Sequence, residues 1–77
     1  MESVTKVEPQ DDFSLLITFN TGEIKRFDAL PYLEKGAFRR LKSPELFRQA
    51  FVAFDTVCWP DHLDIAPETL YDRSTAA

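Results

Sequence analysis

Between Phe13 and Phe19 every odd position is large and apolar: Phe13, Leu15, Ile17 and Phe19. A period of two places four such side chains on one face of a β-strand. Asn20, Thr21 and Gly22 follow. They form a short loop whose glycine can adopt positive φ in a type I turn closed by a bulge, so Glu23 to Phe27 is expected to return antiparallel. Ile24 and Phe27 fall on opposite parity, so either a bulge resets the register in the returning arm or one of the two faces away from the core, and the bulge is the preferred reading. The hairpin has one apolar face to cover, and the remaining segments are read as its cover.

Ser3 to Glu8 carries β-branched residues and runs into Pro9, which cannot donate to a ladder; this predicts a short edge strand. After Asp28 the period changes. Leu30, Leu33, Phe38 and Leu41 recur at spacings of three to five, as on the inner side of helical turns, with Gly36 interrupting them. Ser43 before Pro44 is a helix start, the serine oxygen capping free amides and proline losing nothing at the first helical position. That helix is expected to reach Ala50, with Leu46, Phe47 and Ala50 toward the sheet. Phe51 to Trp59 is nearly all apolar or β-branched and reads as two short strands turning at Asp55 and Thr56, with Pro60 ending the second. Its lack of clean alternation implies burial on both faces or one face against another chain. Ala66 and Pro67 open a last helical turn, stapled by Ile65 and Leu70, and residues 73–77 are expected to fray. The sum is an α+β domain with a small antiparallel sheet and two or three short helices.

Seventy-seven residues make one domain, spanning 1–77, with no room for a second core. The expected core takes in Val4, Val7, the four odd-numbered hairpin residues, Ile24, Phe27, Leu30, Leu33, Phe38, Leu41, Leu46, Phe47, Phe51, Val52, Phe54, Val57, Trp59, Ile65 and Leu70. So small a chain has no apolar surface to spare. The single Cys58 excludes an internal disulfide, and no signal peptide or membrane span is visible, so a reducing, cytoplasmic setting is expected. A formal charge of −4 argues against nonspecific affinity for nucleic acid or anionic membrane. The charge is polarised: residues 34–48 stand at +3, while 1–33 stand at −3 and 49–77 at −4.

The hairpin LLITFNTGEIKRFD, the LPYLEKGAFRRL segment, the PELF helix start, the apolar strand ending in Val57, Trp59 and Pro60, and the terminal DIAPETLY occur in an order that resembles a small bacterial family, domain of unknown function 2442. Between Phe54 and Val57 the chain departs from the family pattern, where a longer turn with a glycine is frequent. The resemblance implies a compact α+β fold with an antiparallel sheet. It also implies a binding role, since members stand alone or are joined to a helix-turn-helix and are often encoded beside another small protein, as toxin-antitoxin pairs are. It assigns no catalytic residue.

Chemistry is sparse. Cys58, Asp61, His62 and Asp64 lie within seven residues, but zinc sites use paired Cys and His spacings and Pro60 restricts their convergence, so a buried cysteine beside an acidic loop is the better reading. A Cys58–His62 nucleophile pair lacks an identifiable oxyanion donor. Asp11 with Asp12 and Asp61 with Asp64 read as solvated turn acids rather than acid/base pairs. With only Gly22 and Gly36 there is no phosphate-binding glycine loop. No cofactor is expected.

The candidate contact residues are Arg39, Arg40, Lys42 and Arg48 in the basic segment, with Trp59 and Tyr71. Trp59 ends an apolar strand and reads as core, the alternative being an interface anchor with Phe51, Phe54 and Tyr71. The first reading is therefore a non-catalytic protein-binding or regulatory domain, antitoxin-like in a two-protein module, whose partner is another small protein or a second copy. The second is a regulator contacting nucleic acid through residues 35–48. An enzyme ranks third.

Overall fold

The hairpin predicted at Phe13 to Phe27 sits at the centre of the molecule. In the computed structural model, which describes residues 2–77 and leaves Met1 outside the description, strand β2 (Ser14–Phe19) pairs with β1 (Val4–Pro9) on one side and β3 (Ile24–Asp28) on the other. β7 (Thr75–Ala76) adds to the far edge of β3, so the sheet order is β1-β2-β3-β7. The terminal segment expected to fray thus carries a short strand, Lys25 opposite Ala76 and Arg26 opposite Thr75.

The hairpin loop takes the expected form. The Gly22 amide donates to Phe19 O at 2.9 Å, Gly22 has φ of 92°, and the Phe19 amide donates to Glu23 O. The bulge is elsewhere. The β2–β3 register runs unbroken from Ser14↔Asp28 to Thr18↔Ile24, and the irregularity lies in β1 between Val4 and Lys6. Parity is resolved by turning Ile24 outward, where it is 54% exposed. Lys25 takes the core-side position opposite Ile17. Its stem covers the sheet while its ammonium reaches Tyr71 O at 2.9 Å and the Tyr71 ring at 3.9 Å.

Phe13 precedes β2 rather than belonging to it. With φ of 63° it turns its ring edge-on to Phe47, centroids 5.2 Å apart. The segment after Asp28 forms tight 3₁₀ turns at Leu30–Tyr32 and Gly36–Lys42, separated where Gly36 takes φ of 50°. Ser43 caps α1 (Pro44–Phe47) as the sequence implies, its hydroxyl accepting from the Leu46 amide, but the helix stops at Phe47 rather than Ala50.

A second sheet follows, order β4-β5-β6, built from Phe51–Ala53, Thr56–Trp59 and Leu63–Ile65. The Ala53↔Thr56 pairing leaves Phe54 and Asp55 as the two-residue turn, both left-handed at φ of 54° and 63°. That is one residue earlier than expected, and it puts Thr56 inside a strand. β6 was missed because Pro60 reads as a stop; Asp61 and His62, both at positive φ, bring the chain straight back. β5 is buried along its whole length. α2 (Pro67–Arg73) then closes the body with Leu70 and Ile65 in one buried cluster.

The core lies between the two sheets and beneath the helical turns. Leu15, Ile17, Phe19 and Phe27 meet Val57, Trp59, Ile65, Leu41, Phe47 and Leu70 there. Ile24, Leu30, Phe51, Val52 and Phe54, all expected inside, are exposed. Leu63 and Cys58, the former absent from the expected core, are buried. No helix among the described residues is long and apolar enough to cross a membrane.

Candidate functional site

The register of the second sheet decides which side chains share a face. Phe51 lies opposite Cys58, which lies opposite Asp64, so these three form one row, and Val52, Val57 and Ile65 form the next row on the other face. In the second row Val57 and Ile65 join the core while Val52 stays exposed. The first looks outward, onto an open cleft of about 430 Å³ lined by Phe51, Phe54, Cys58 and the turn from Trp59 to Asp64.

Phe54 is the most prominent side chain of this region. It is 92% exposed at the tip of the β4–β5 turn, with Phe51 beside it at 46%. The turn is held from behind, the Val4 amide donating to Asp55 O at 2.8 Å. Among the described residues, four of the five non-glycine residues at positive φ, Phe54, Asp55, Asp61 and His62, bracket β5 at its two ends. Asp and His tolerate the left-handed region better than most residues, so of these four the strain of about 1–2 kcal/mol falls on Phe54.

The cleft is electrostatically negative. No lysine or arginine lines it, whereas Asp61 and Asp64 do. Burial, reinforced by the Asp64 carboxylate, pushes the Cys58 thiol up, and its Sγ donates to Ala53 O at 3.6 Å. A protonated, hydrogen-bonded thiol is a poor nucleophile. Among the described residues no three of His, Cys, Asp and Glu gather as they would around a metal ion.

The basic segment is largely occupied by its own chain. Arg40 pairs with Asp61 at 3.1 Å, Lys42 with Glu34 at 2.8 Å, and Arg39 Nε donates to Glu34 O at 3.2 Å. Lys42 holds the Glu34 carboxyl below its ordinary range. Arg48 is exposed, with no ion pair among the described residues. These side chains stand on a 3₁₀ run and a four-residue helix, neither of which offers a groove-reading helix face. Of the four cations only Arg40 reaches the cleft, through Asp61.

Trp59 is core. It is 1% exposed, its indole N–H donates to Phe47 O at 3.0 Å, and it packs against Phe47 and Phe38. It contributes to the cleft floor, but the ring is not presented to a partner. Tyr71 clasps α2 to the hairpin: its hydroxyl donates to Glu23 at 2.6 Å and its ring stands edge-on to Phe19 at 5.1 Å. That bond pushes the Tyr71 hydroxyl up and the Glu23 carboxyl down. The six residues picked from the sequence are therefore not one site, and the aromatic pair that does face outward is Phe51 with Phe54.

A second, shallower depression of about 320 Å³ lies at Gln10, Asp11, Asp12, Ser14, Leu16 and Arg26. Asp12 accepts from the buried Ser14 hydroxyl at 2.5 Å and from Arg26 at 2.7 Å, which together bring its carboxyl down to about 2. A carboxylate fixed so firmly in its ionised form is a structural acceptor rather than a general base near neutrality.

Fold and cleft together define a small two-sheet α+β domain with an outward aromatic hairpin and an acidic rim. The chain belongs to the family described as protein of unknown function (DUF2442), whose model matches residues 4–76. No curated protein and no solved structure matches it.

Proposed function

We propose that this chain is a protein-binding domain whose docking surface is the outer face of the β4–β5–β6 sheet, centred on Phe54 and Phe51. The observation that carries this is the presentation of Phe54. A bulky aromatic residue sits in a backbone region that disfavours it, on a turn fixed by Val4, and buries almost nothing within the chain. Aromatic side chains in fixed conformations are the usual anchors of protein interfaces. The same reading accommodates a regulatory, antitoxin-like role in a two-protein module. The basic segment supports the nucleic-acid alternative less well, because Arg39, Arg40 and Lys42 already serve Glu34 and Asp61.

The test is affinity capture from the native cell with the wild-type chain, Phe54→Ser and Ile24→Ser. Ile24 is an exposed apolar residue on the other sheet and controls for surface polarity alone. A specific partner is expected with wild type and Ile24→Ser and is expected to be lost with Phe54→Ser. Equal retention by all three proteins, or equal loss from both variants, would overturn the assignment of the surface.

A further inference from the structure

Building on that docking reading, we infer that the occupant of the cleft is a segment of a different protein that carries apolar side chains interspersed with lysine or arginine. Phe51 and Phe54 offer apolar contact, and every fixed charge on the lining is negative, Asp61 and Asp64, with Asp55 adjoining Phe54 in the turn. Asp61 is paired to Arg40, which leaves Asp55 and Asp64 without an ion pair among the described residues. The Arg40 contact shows how a cation seats at this rim: a guanidinium arrives from a neighbouring segment and takes a carboxylate at 3.1 Å while half exposed.

A second copy of the chain fits less well. A two-fold contact would place this face against itself, setting the acidic rim opposite an acidic rim. A head-to-tail contact would have to offer the basic segment, three of whose cations are already engaged, and such contacts propagate unless the rotation closes. The complementary surface therefore comes from another chain, with positive charge flanking its apolar anchors.

The experiment uses the full chain, isotope-labelled, and short synthetic peptides alternating leucine with lysine, leucine with serine, leucine with glutamate, and lysine with serine, read by amide shifts. The leucine–lysine peptide is expected to bind most tightly and to move the amides of Phe51, Phe54, Cys58, Leu63 and Asp64. Raising salt from about 50 to 500 mM should weaken it severalfold. Asp55→Asn/Asp64→Asn, which keeps side-chain shape and suits the left-handed position of residue 55, should weaken that peptide by about three- to tenfold and leave leucine–serine unchanged. Phe54→Ser should weaken both.

Equal affinity for leucine–lysine and leucine–serine would overturn the cationic partner while leaving the docking surface standing. Equal affinity for leucine–lysine and lysine–serine would reduce the effect to charge alone and overturn it as well. Shifts located elsewhere, or indifferent to Phe54→Ser, would overturn the docking surface itself. Self-association through the same amides without peptide preference would assign the face to a second copy, and absence of binding at millimolar leucine–lysine peptide would end the proposal.

Discussion

Replacing Phe54 by asparagine should make the protein more stable. Phe54 sits at φ of 54° and Asp55 at 63°, the pair of left-handed residues that a two-residue hairpin turn demands. An L-residue there costs about 1–2 kcal/mol, and asparagine escapes much of that because its short amide bonds to the local backbone. At 92% exposure the phenyl ring loses almost no burial on removal. The net gain should be about 0.5–1.5 kcal/mol. For a domain of this size 1 kcal/mol moves the midpoint by roughly 4–8 °C, so Tm should rise by about 2–12 °C. Trp59 is the only tryptophan and is buried, so its fluorescence reports urea and thermal unfolding directly. The urea midpoint should rise with an unchanged slope. A midpoint that stays put or falls would mean that the ring supports the fold, and the argument that it is displayed for a partner would collapse. Greater stability with weaker binding is the combination expected of a residue retained for contact.

Trp59→Phe retains most of the ring volume but removes the indole donor to Phe47 O, which keeps its longer bond from the Ala50 amide at 3.3 Å, so the cost should be about 0.5–1.5 kcal/mol. Trp59→Ala should cost about 3–5 kcal/mol, measured by circular dichroism in urea; less than about 1 kcal/mol would place the ring outside the core. Asp12 has a folded value of about 2 against an ordinary 3.8, so its stabilising contribution is present above 3.8 and is lost as pH falls through 2. Asp12→Asn should flatten the stability curve across that window, and a carboxyl titration by NMR should show the depressed midpoint directly. Cys58, with its thiol raised by burial, should react with a disulfide reagent at pH 8 far more slowly than free cysteine, and quickly once urea unfolds the chain.

The hairpin and the Ser43 and Pro67 helix starts were legible in the sequence because each is a local rule. Alternation, a glycine at the αL position of a turn, and a capping hydroxyl before proline all act within a few residues. The cleft was not legible, for a reason of similar size. A turn placed at Asp55 and Thr56 instead of Phe54 and Asp55 moves every β4–β5 pair by two residues, so that Phe54 would enter the strand opposite Val57 and Ala53 would replace Phe51 opposite Cys58. Phe54 then counts as core beside Val57, and the outward row of Phe51, Cys58 and Asp64 disappears because Ala53 takes the place of Phe51. Phenylalanine is a poor left-handed residue, so propensity argued against the true turn. Ile24 was misread by parity, because only the tertiary contact between Lys25 and Tyr71 shows that a lysine can fill a core-side position.

The two left-handed phenylalanines form a control for the functional argument. Phe13, at φ of 63°, stands in the same disfavoured region as Phe54, but its half-buried ring meets Phe47 edge-on at 5.2 Å. Its strain is offset inside the chain by aromatic packing. Phe13→Asn relieves the same backbone conformation, yet it removes that packing and should therefore destabilise the protein by about 1–2 kcal/mol net. Equivalent backbone chemistry thus predicts opposite signs at positions 13 and 54, read from two urea curves with Trp59 as the probe. If both substitutions stabilise, the Phe13 ring carries no packing. If both destabilise, Phe54 has an intramolecular role that its exposure conceals. Opposite signs leave one strained aromatic residue with nothing in its own chain to offset the strain, as the proposed docking role of Phe54 requires.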